Sequence, residues 1–309
     1  MDELKKIIYR FTNKKYLKSL TIKESVMKIG IDSYCYHKFF GEVYPMEEAP
    51  KNPMSIEDFL NRAGELKVDG VSLETCFIPS FDESYLKKVK ELIDKYNFDV
   101  VVAWGHPDGL KGGKYEPGVW EIIDQLKTCK ILGTRVMRIV GSSLKYRYDP
   151  HEPQLKKIAK IVRKVVNLAE ENGVKIAMEN HLDFTIDEIA DLVSKINSTN
   201  FGVCFDAGNC LRNGDDPVYG VKTLNKSIYA THIKDVEPVY GCDPKEWYFF
   251  SSTPVGKGII NFPAVVNELK KVGYKGYLAV EIDNLHPKYN GEVDKAVVQS
   301  VEYLKNIAK

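Results

Sequence analysis

The chain has 309 residues, 44% hydrophobic and 28% charged, enough apolar material for a large core without covalent staples. Its 44 Lys and Arg against 43 Asp and Glu leave a formal charge of +1, which removes any electrostatic case for a nucleic-acid or membrane partner. That length fits one large α/β barrel or two smaller domains.

Residues 1–26 read as a basic helical preface. A first apolar run, Met27–Asp32, then predicts a strand, and Ser55–Leu66 predicts a helix with a serine cap and apolar residues at helical spacing. The alternation continues with a strand at Gly70–Glu74, a helix at Asp82–Tyr96, a strand at Asp99–Trp104 and a helix at Pro117–Leu132. Arg135–Val140, Lys175–Glu179, Gly202–Asp206, Ile228–Ile233 and Tyr277–Ile282 supply five more strands. Helices are expected at Pro153–Asn172, Thr185–Ile196, Asp216–Leu224, Phe262–Val272 and Glu292–Ile307.

Eight strands alternating with eight helices predict the α/β class, a (β/α)8 TIM barrel over 27–309 as a single domain behind the N-terminal helical extension. An open doubly wound sheet would carry a Gly-rich turn after its first strand, where this chain has Asp32-Ser33-Tyr34-Cys35-Tyr36-His37. Cys35, Cys76, Cys129, Cys204, Cys210 and Cys242 form no C-x-x-C pair, and several sit in apolar runs, so buried reduced thiols are expected. Ile7-Ile8 is soon followed by Arg10 and Lys14-Lys15, which is no secretory segment, and no apolar run is long enough for a bilayer. A cytoplasmic location is the expectation.

The chemistry-bearing pattern is that apolar runs end on potential metal ligands: Glu179, Asp206, His232 and, about one βα unit later, Glu281. In a barrel these strand ends share one rim, where such folds keep their active sites. Singly, each acid is more often an exposed or salt-bridged side chain; four together point to an oxygen-rich site suited to Mg2+ or Mn2+. Two loops on that rim are long, His37–Pro53 and Val236–Lys257, the second carrying Trp247-Tyr248-Phe249-Phe250.

In order along the chain come Ala-Met-Glu179-Asn180-His181, Cys-Phe-Asp206-Ala-Gly208-Asn209, Thr-His232-Ile-Lys234-Asp235, Pro254-Val255-Gly256-Lys257-Gly258 and Gly276-Tyr-Leu-Ala-Val-Glu281. With these motifs the chain resembles the xylose-isomerase-like TIM barrels, which include ketose 3-epimerases, hydroxypyruvate isomerases and inosose dehydratases. The resemblance implies that Glu179, Asp206, His232 and Glu281 bind one Mn2+, Mg2+ or Co2+, and that the two glutamates move protons on either side of a bound ketose. It implies a metal-dependent isomerase or epimerase of a ketose or keto-sugar, working by proton abstraction next to a metal-bound carbonyl through an enediolate. The alternative is a lyase that dehydrates a keto-sugar or keto-inositol at the same metal; a non-catalytic sugar-binding protein ranks third. Many members carry histidine at the position of Asn209, so no role transfers there. The extra metal-binding residues of the related endonucleases are missing between Val236 and Lys257. Relatives are often dimers or tetramers, which makes a homodimer or homotetramer the expected assembly around a small-molecule sugar substrate.

Further candidates line up around this centre. His106 and His181 are candidate acids or bases, with a polar rim residue or a structural histidine as the competing readings. Asn180 would orient a ligand. Candidate substrate contacts are His37, Glu74, Lys234, Lys257 and Trp247, with Tyr34 beside His37. For Glu74 an internal ion pair competes, for the lysines solvation, and for Trp247 packing against a neighbouring subunit. Arg138 lies inside a strand, and a charge buried there needs a carboxylate partner. No Gly-rich phosphate cradle follows the last two strands, so a phosphorylated substrate lacks support.

Overall fold

The computed structural model of the chain describes residues 26–44 and 48–309. The preface expected over 1–26 therefore lies, apart from Val26, outside the described residues. Strands β1 (Lys28–Asp32), β2 (Gly70–Glu74), β3 (Asp99–Trp104), β4 (Val136–Val140), β5 (Lys175–Glu179), β6 (Phe201–Asp206) and β7 (Ile228–Ile233) follow one another around a ring. A separate antiparallel hairpin, β8 (Asp235–Pro238) with β9 (Phe250–Thr253), comes next, and β10 (Tyr277–Val280) closes the parallel barrel between β7 and β1. This is the (β/α)8 barrel that the alternation of elements predicts.

Helices between the strands turn apolar stripes inward, and local signals set their ends. Ser55 and Thr185 form capping boxes with Asp58 and Glu188 at the starts of the helices Ile56–Glu65 and Ile186–Ile196. Gly133 and Gly273 end two others in the left-handed conformation. Among the described residues no helix is long and apolar enough to cross a membrane.

Three differences from expectation matter. Ala207–Arg212 is helical directly after β6, because the Asp206 carboxylate caps it by accepting the Asn209 N–H at 2.8 Å. The expected loop Val236–Lys257 holds the β8–β9 hairpin, with Asp235 paired to Thr253 and Val236 to Ser252. β10 stops at Val280 rather than Ile282, and Glu281 stands one residue past it with its N–H on the Ile233 carbonyl at 3.3 Å.

The barrel interior is layered because strand side chains alternate faces. Val101, Ala177, Cys204, Ala230, Tyr277 and Ala279 form a compact apolar cluster of their own. Two residues further along their strands come Glu179, Asp206, His232 and Glu281, which puts the polar layer on top of the apolar one. The register fixes this level: Asp206 pairs with His232, and Ala279 also pairs with His232. At the base of the plug the Tyr277 ring lies against Gly30 and Gly70; a Cβ on either would fall 2.3 and 2.4 Å from ring carbons. Its hydroxyl meets the Ser72 hydroxyl at 3.1 Å.

That packing has a measurable consequence. Gly30→Ala or Gly70→Ala forces a methyl into a filled interior, and overpacking of this kind costs about 1–3 kcal/mol. Each variant should unfold at lower urea than the parent; an unchanged midpoint would show that the Tyr277 ring yields freely.

Candidate metal centre and substrate cavity

Glu179 ends β5, Asp206 ends β6, His232 lies near the end of β7 and Glu281 follows β10, so adjacent strands deliver four side chains to one point. One donor atom from each lies within 4.8 Å of the others, and all four residues are buried. His232 Nδ1 stands 3.0 Å from Glu281 Oε2, 3.4 Å from Glu179 Oε1 and 3.8 Å from Asp206 Oδ2. Three of these buried atoms, Asp206 Oδ2, His232 Nδ1 and Glu281 Oε2, make no hydrogen bond. Buried polar atoms are ordinarily satisfied. These three meet only ion-pair contacts, among themselves and with Glu179 and Lys234, and the converging donor set fits a divalent cation with oxygen and imidazole ligands.

The surroundings hold these side chains in place. Asp32, at the end of β1, puts Oδ2 3.3 Å from His232 Nε2, on the side of the ring away from Nδ1, without a hydrogen bond. Asn180 accepts the Asp206 N–H and donates to the Asp206 carbonyl, both at 2.8 Å, so it locks the strand end itself. Asn209 donates to Glu179 Oε1 at 3.2 Å.

Buried cations divide the remaining charge. Arg138 pairs with Glu74 and places Nε 3.1 Å from Glu179 Oε2, which supplies the carboxylate partners its burial in β4 demands. Lys234 Nζ lies 3.0 Å from Asp206, 3.1 Å from Glu281 and 3.2 Å from Asp283. Arg212 closes on Asp283 at 2.5 Å. Burial would raise the Glu179 carboxyl, but Arg138 and His232 outweigh it and hold the group at about 2. Glu281 is likewise driven well below the usual range against its burial, by Lys234 and His232. Asp206 goes the other way: burial, together with repulsion from Glu281 and Glu179, lifts it to about 7 despite Lys234. Burial lowers His181 to about 4, so it is neutral near pH 7.

Above the cluster opens a cavity of about 350 Å3, lined among others by Glu179, Glu281, His181, His106, Lys234 and Trp247. Glu74 and Arg138 reach its lining while bound to each other. The Nδ1 of His181 is buried there with no hydrogen bond. Trp247 forms part of the rim, 5.1 Å from the Tyr44 ring and beneath Arg212 at 5.7 Å. Two expected substrate contacts stand elsewhere. His37 spends both ring nitrogens on the carbonyls of Glu42 and Asp283, at 2.7 and 2.9 Å, and props the rim loops instead. Lys257 is exposed and outside the lining. Its segment wraps a different acid: the N–H groups of Gly256, Gly258 and Ile260 all donate to the Asp235 carboxylate.

Asp32, Asp283, Arg212 and Glu42 belong to this region and were not singled out from the sequence. Asp32 had a usable signal, since it ends the first strand as Glu179 ends the fifth. Asp283 lies two residues past Glu281. Nothing in the sequence around Arg212 or Glu42 marks them.

A family model described as "Xylose isomerase-like TIM barrel" matches residues 60–307. The inosose dehydratase of Clostridium beijerinckii is 26% identical over 72% of this chain and 78% of its own. The rhizopine catabolism protein MocC of Rhizobium meliloti is 26% identical over 63% of this chain. The match spans 66% of MocC and only 41% of the uncharacterized protein MJ1311 of Methanocaldococcus jannaschii, which is 29% identical over 39% of this chain. Among solved structures, the IOLI protein with a bound zinc atom superposes with a TM-score of 0.70 at 18% identity, covering 91% of this chain and 98% of that one. A D-tagatose 3-epimerase-like protein gives 0.68 at 21% identity with the same coverage. These two show the shared fold; the family match over most of the barrel shows more, and the chain belongs to the xylose isomerase-like TIM barrel family.

Proposed function

We propose that this protein is a divalent-metal-dependent enzyme that removes a proton next to the carbonyl of a keto-sugar or keto-polyol. The observation that carries this reading is the convergence of four buried donor atoms, three of them without a hydrogen bond. The zinc in the IOLI neighbour supports a divalent ion; the carboxylate-rich donor set favours Mn2+ or Mg2+, with Co2+ tolerated. Glu179, Asp206, His232 and Glu281 would hold it. When bound, the ion supplies Lewis-acid polarisation of the carbonyl and disperses the charge developing on its oxygen.

The chain's own groups do the rest. Arg138 holds Glu179 ionised, and Lys234 with His232 does the same for Glu281. Both glutamates therefore begin as carboxylates able to accept a proton from carbon. The one that accepts it becomes the acid that can return it. Return to the neighbouring carbon, or to the opposite face with help from the second glutamate, makes an isomerase or epimerase. His181, neutral and without a hydrogen bond at Nδ1, is free to accept from a substrate hydroxyl.

A second reading, loss of a β-hydroxyl to give a dehydratase, is favoured by the inosose dehydratase relatives, which align over most of the barrel. Both readings share the first proton transfer.

Two outcomes follow. Because Asp206 is raised to about 7 in the metal-free protein, it is partly protonated at pH 6.5 and must release that proton to ligate. Mn2+ affinity, measured by calorimetry in buffers of different ionisation heat, should therefore rise from pH 6 to pH 8 with proton release; a flat profile would contradict the assignment. With an inosose, D-tagatose or D-psicose in 2H2O, the Mn2+-loaded protein should place deuterium beside the carbonyl. Glu179→Gln and Glu281→Gln should each slow that exchange by about 10²–10⁴-fold, the usual worth of a positioned acid or base. Unchanged exchange in both variants would remove the glutamates from the chemistry.

A further inference from the structure

A second set of proton-handling groups lines the same cavity from the other side of the barrel. In an eight-strand ring β3 lies opposite β7. His106, just beyond β3, thus faces the metal centre from the far wall. Its Nε2 stands 2.6 Å from Glu42 Oε1, on the loop that follows β1. The same carboxylate oxygen accepts the Tyr34 hydroxyl at 3.2 Å, and the Tyr34 ring packs on the imidazole at 4.6 Å between centroids. Tyr34 and Tyr44 share a further hydroxyl contact at 3.1 Å. His37 Nδ1 fastens the loop backbone through the Glu42 carbonyl. Glu42 and His106 both line the cavity. Among the described residues His106 Nδ1 makes no hydrogen bond, so the ring is gripped at one nitrogen and open at the other. A carboxylate on one imidazole nitrogen leaves the other to exchange protons and stabilises the imidazolium.

We propose that Glu42 positions His106 to donate a proton from Nδ1 to a departing substrate oxygen, so that the far wall serves oxygen while Glu179 and Glu281 serve carbon. This inference rests on the carbon-acid reading above and takes its elimination branch. The steps balance within the substrate and the protein. A glutamate takes the α-proton, and the C–H electron pair becomes the new C=C bond. The β-carbon–oxygen bond breaks with its electrons on oxygen, and the His106 proton makes that oxygen water. The glutamate proton returns to solvent, and His106 regains one from it. Glu42 stays ionised throughout: burial would raise it, but His106 outweighs that and lowers it. It acts through His106 and is a positioning residue.

The test uses the full-length, Mn2+-loaded protein with an inosose in 2H2O, following loss of water by mass and deuterium beside the carbonyl by NMR. His106→Gln should slow elimination by about 10²–10⁴-fold, and Glu42→Gln by about 10–100-fold. In both, elimination should fall at least tenfold further than exchange, with KM little changed. Histidine 15N spectra of the unliganded protein guard against misfolding: neutral His106 should carry its proton on Nε2, and Glu42→Leu should abolish that single-tautomer signature. Equal losses of exchange and elimination, elimination untouched in either variant, or a proton on Nδ1 of the neutral ring would each overturn the dyad. Absence of exchange in the parent protein with every keto-sugar and inosose would instead overturn the carbon-acid reading, and this inference with it.

Discussion

Charge crowding at one end of the barrel governs this structure. Asp32, Glu74, Glu179, Asp206, Glu281 and Asp283 are all buried there, against the permanent cations Arg138, Arg212 and Lys234. Three formal negative charges are left over. Burying an uncompensated charge is costly, and proteins respond by pairing it, coordinating it or protonating it. Pairing and protonation are both visible. Arg138 and Arg212 pair off Glu74 and Asp283. His232 and Lys234 lean on the cluster, and burial with repulsion from Glu281 and Glu179 pushes the Asp206 carboxyl up to about 7. A divalent ion at the candidate centre would reduce the surplus to one charge and give the three atoms that lack hydrogen bonds a partner. The protein interior thus leaves a hole of defined charge as well as defined shape.

That hole can exist because the layer beneath it is dry and rigid. Tyr277, wedged against Gly30 and Gly70, fills the lower barrel, and small residues at Ala177, Cys204, Ala230 and Ala279 complete the plug. Period-two alternation then allows the next inward position on each strand only one place to go. The carboxylates are held by backbone geometry before any ligand arrives, which is what preorganisation requires. Asp235 extends the same logic outward. Its carboxylate gathers three backbone N–H groups from Gly256 to Ile260, and so ties the start of the β8–β9 hairpin to the chain leaving it. The segment that looked like a substrate-binding lysine motif is a clamp, with Gly258 required because a Cβ would fall 2.3 Å from Asp235 Oδ1.

The convergence of Glu179, Asp206, His232 and Glu281 was legible in the sequence because strands announce their own ends: an apolar run that stops on Glu179 or Asp206 reports both a face and a height. The eight barrel strands and their helices were legible for the same reason, through period and caps. What escaped notice depends on contacts distant in sequence. Arg212 reaches Asp283 across 71 residues, and His106 meets Glu42 across 64. No local pattern encodes either. His37 was read as facing substrate because it follows the first strand; the turn Ser33–Tyr36 rotates it away to brace two carbonyls. The helix Ala207–Arg212 was missed because Asp206 reads as a ligand, and its second oxygen also serves as a cap.

The double duty of Asp206 shows how economical the rim is. Oδ1 fixes the helix that carries Asn209 and Arg212, while Oδ2 faces the cluster. Arg212 then reaches Asp283 and lies over Trp247, and Trp247 meets Tyr44 from the β1 loop. Tyr44 touches Tyr34, Tyr34 donates to Glu42, and Glu42 holds His106. A continuous chain of contacts therefore runs from the candidate metal centre, over the cavity mouth, to the opposite wall. The two groups of side chains stand on different supports, strand ends for Glu179 and Glu281 and a strand-to-loop junction for His106, and both line one cavity.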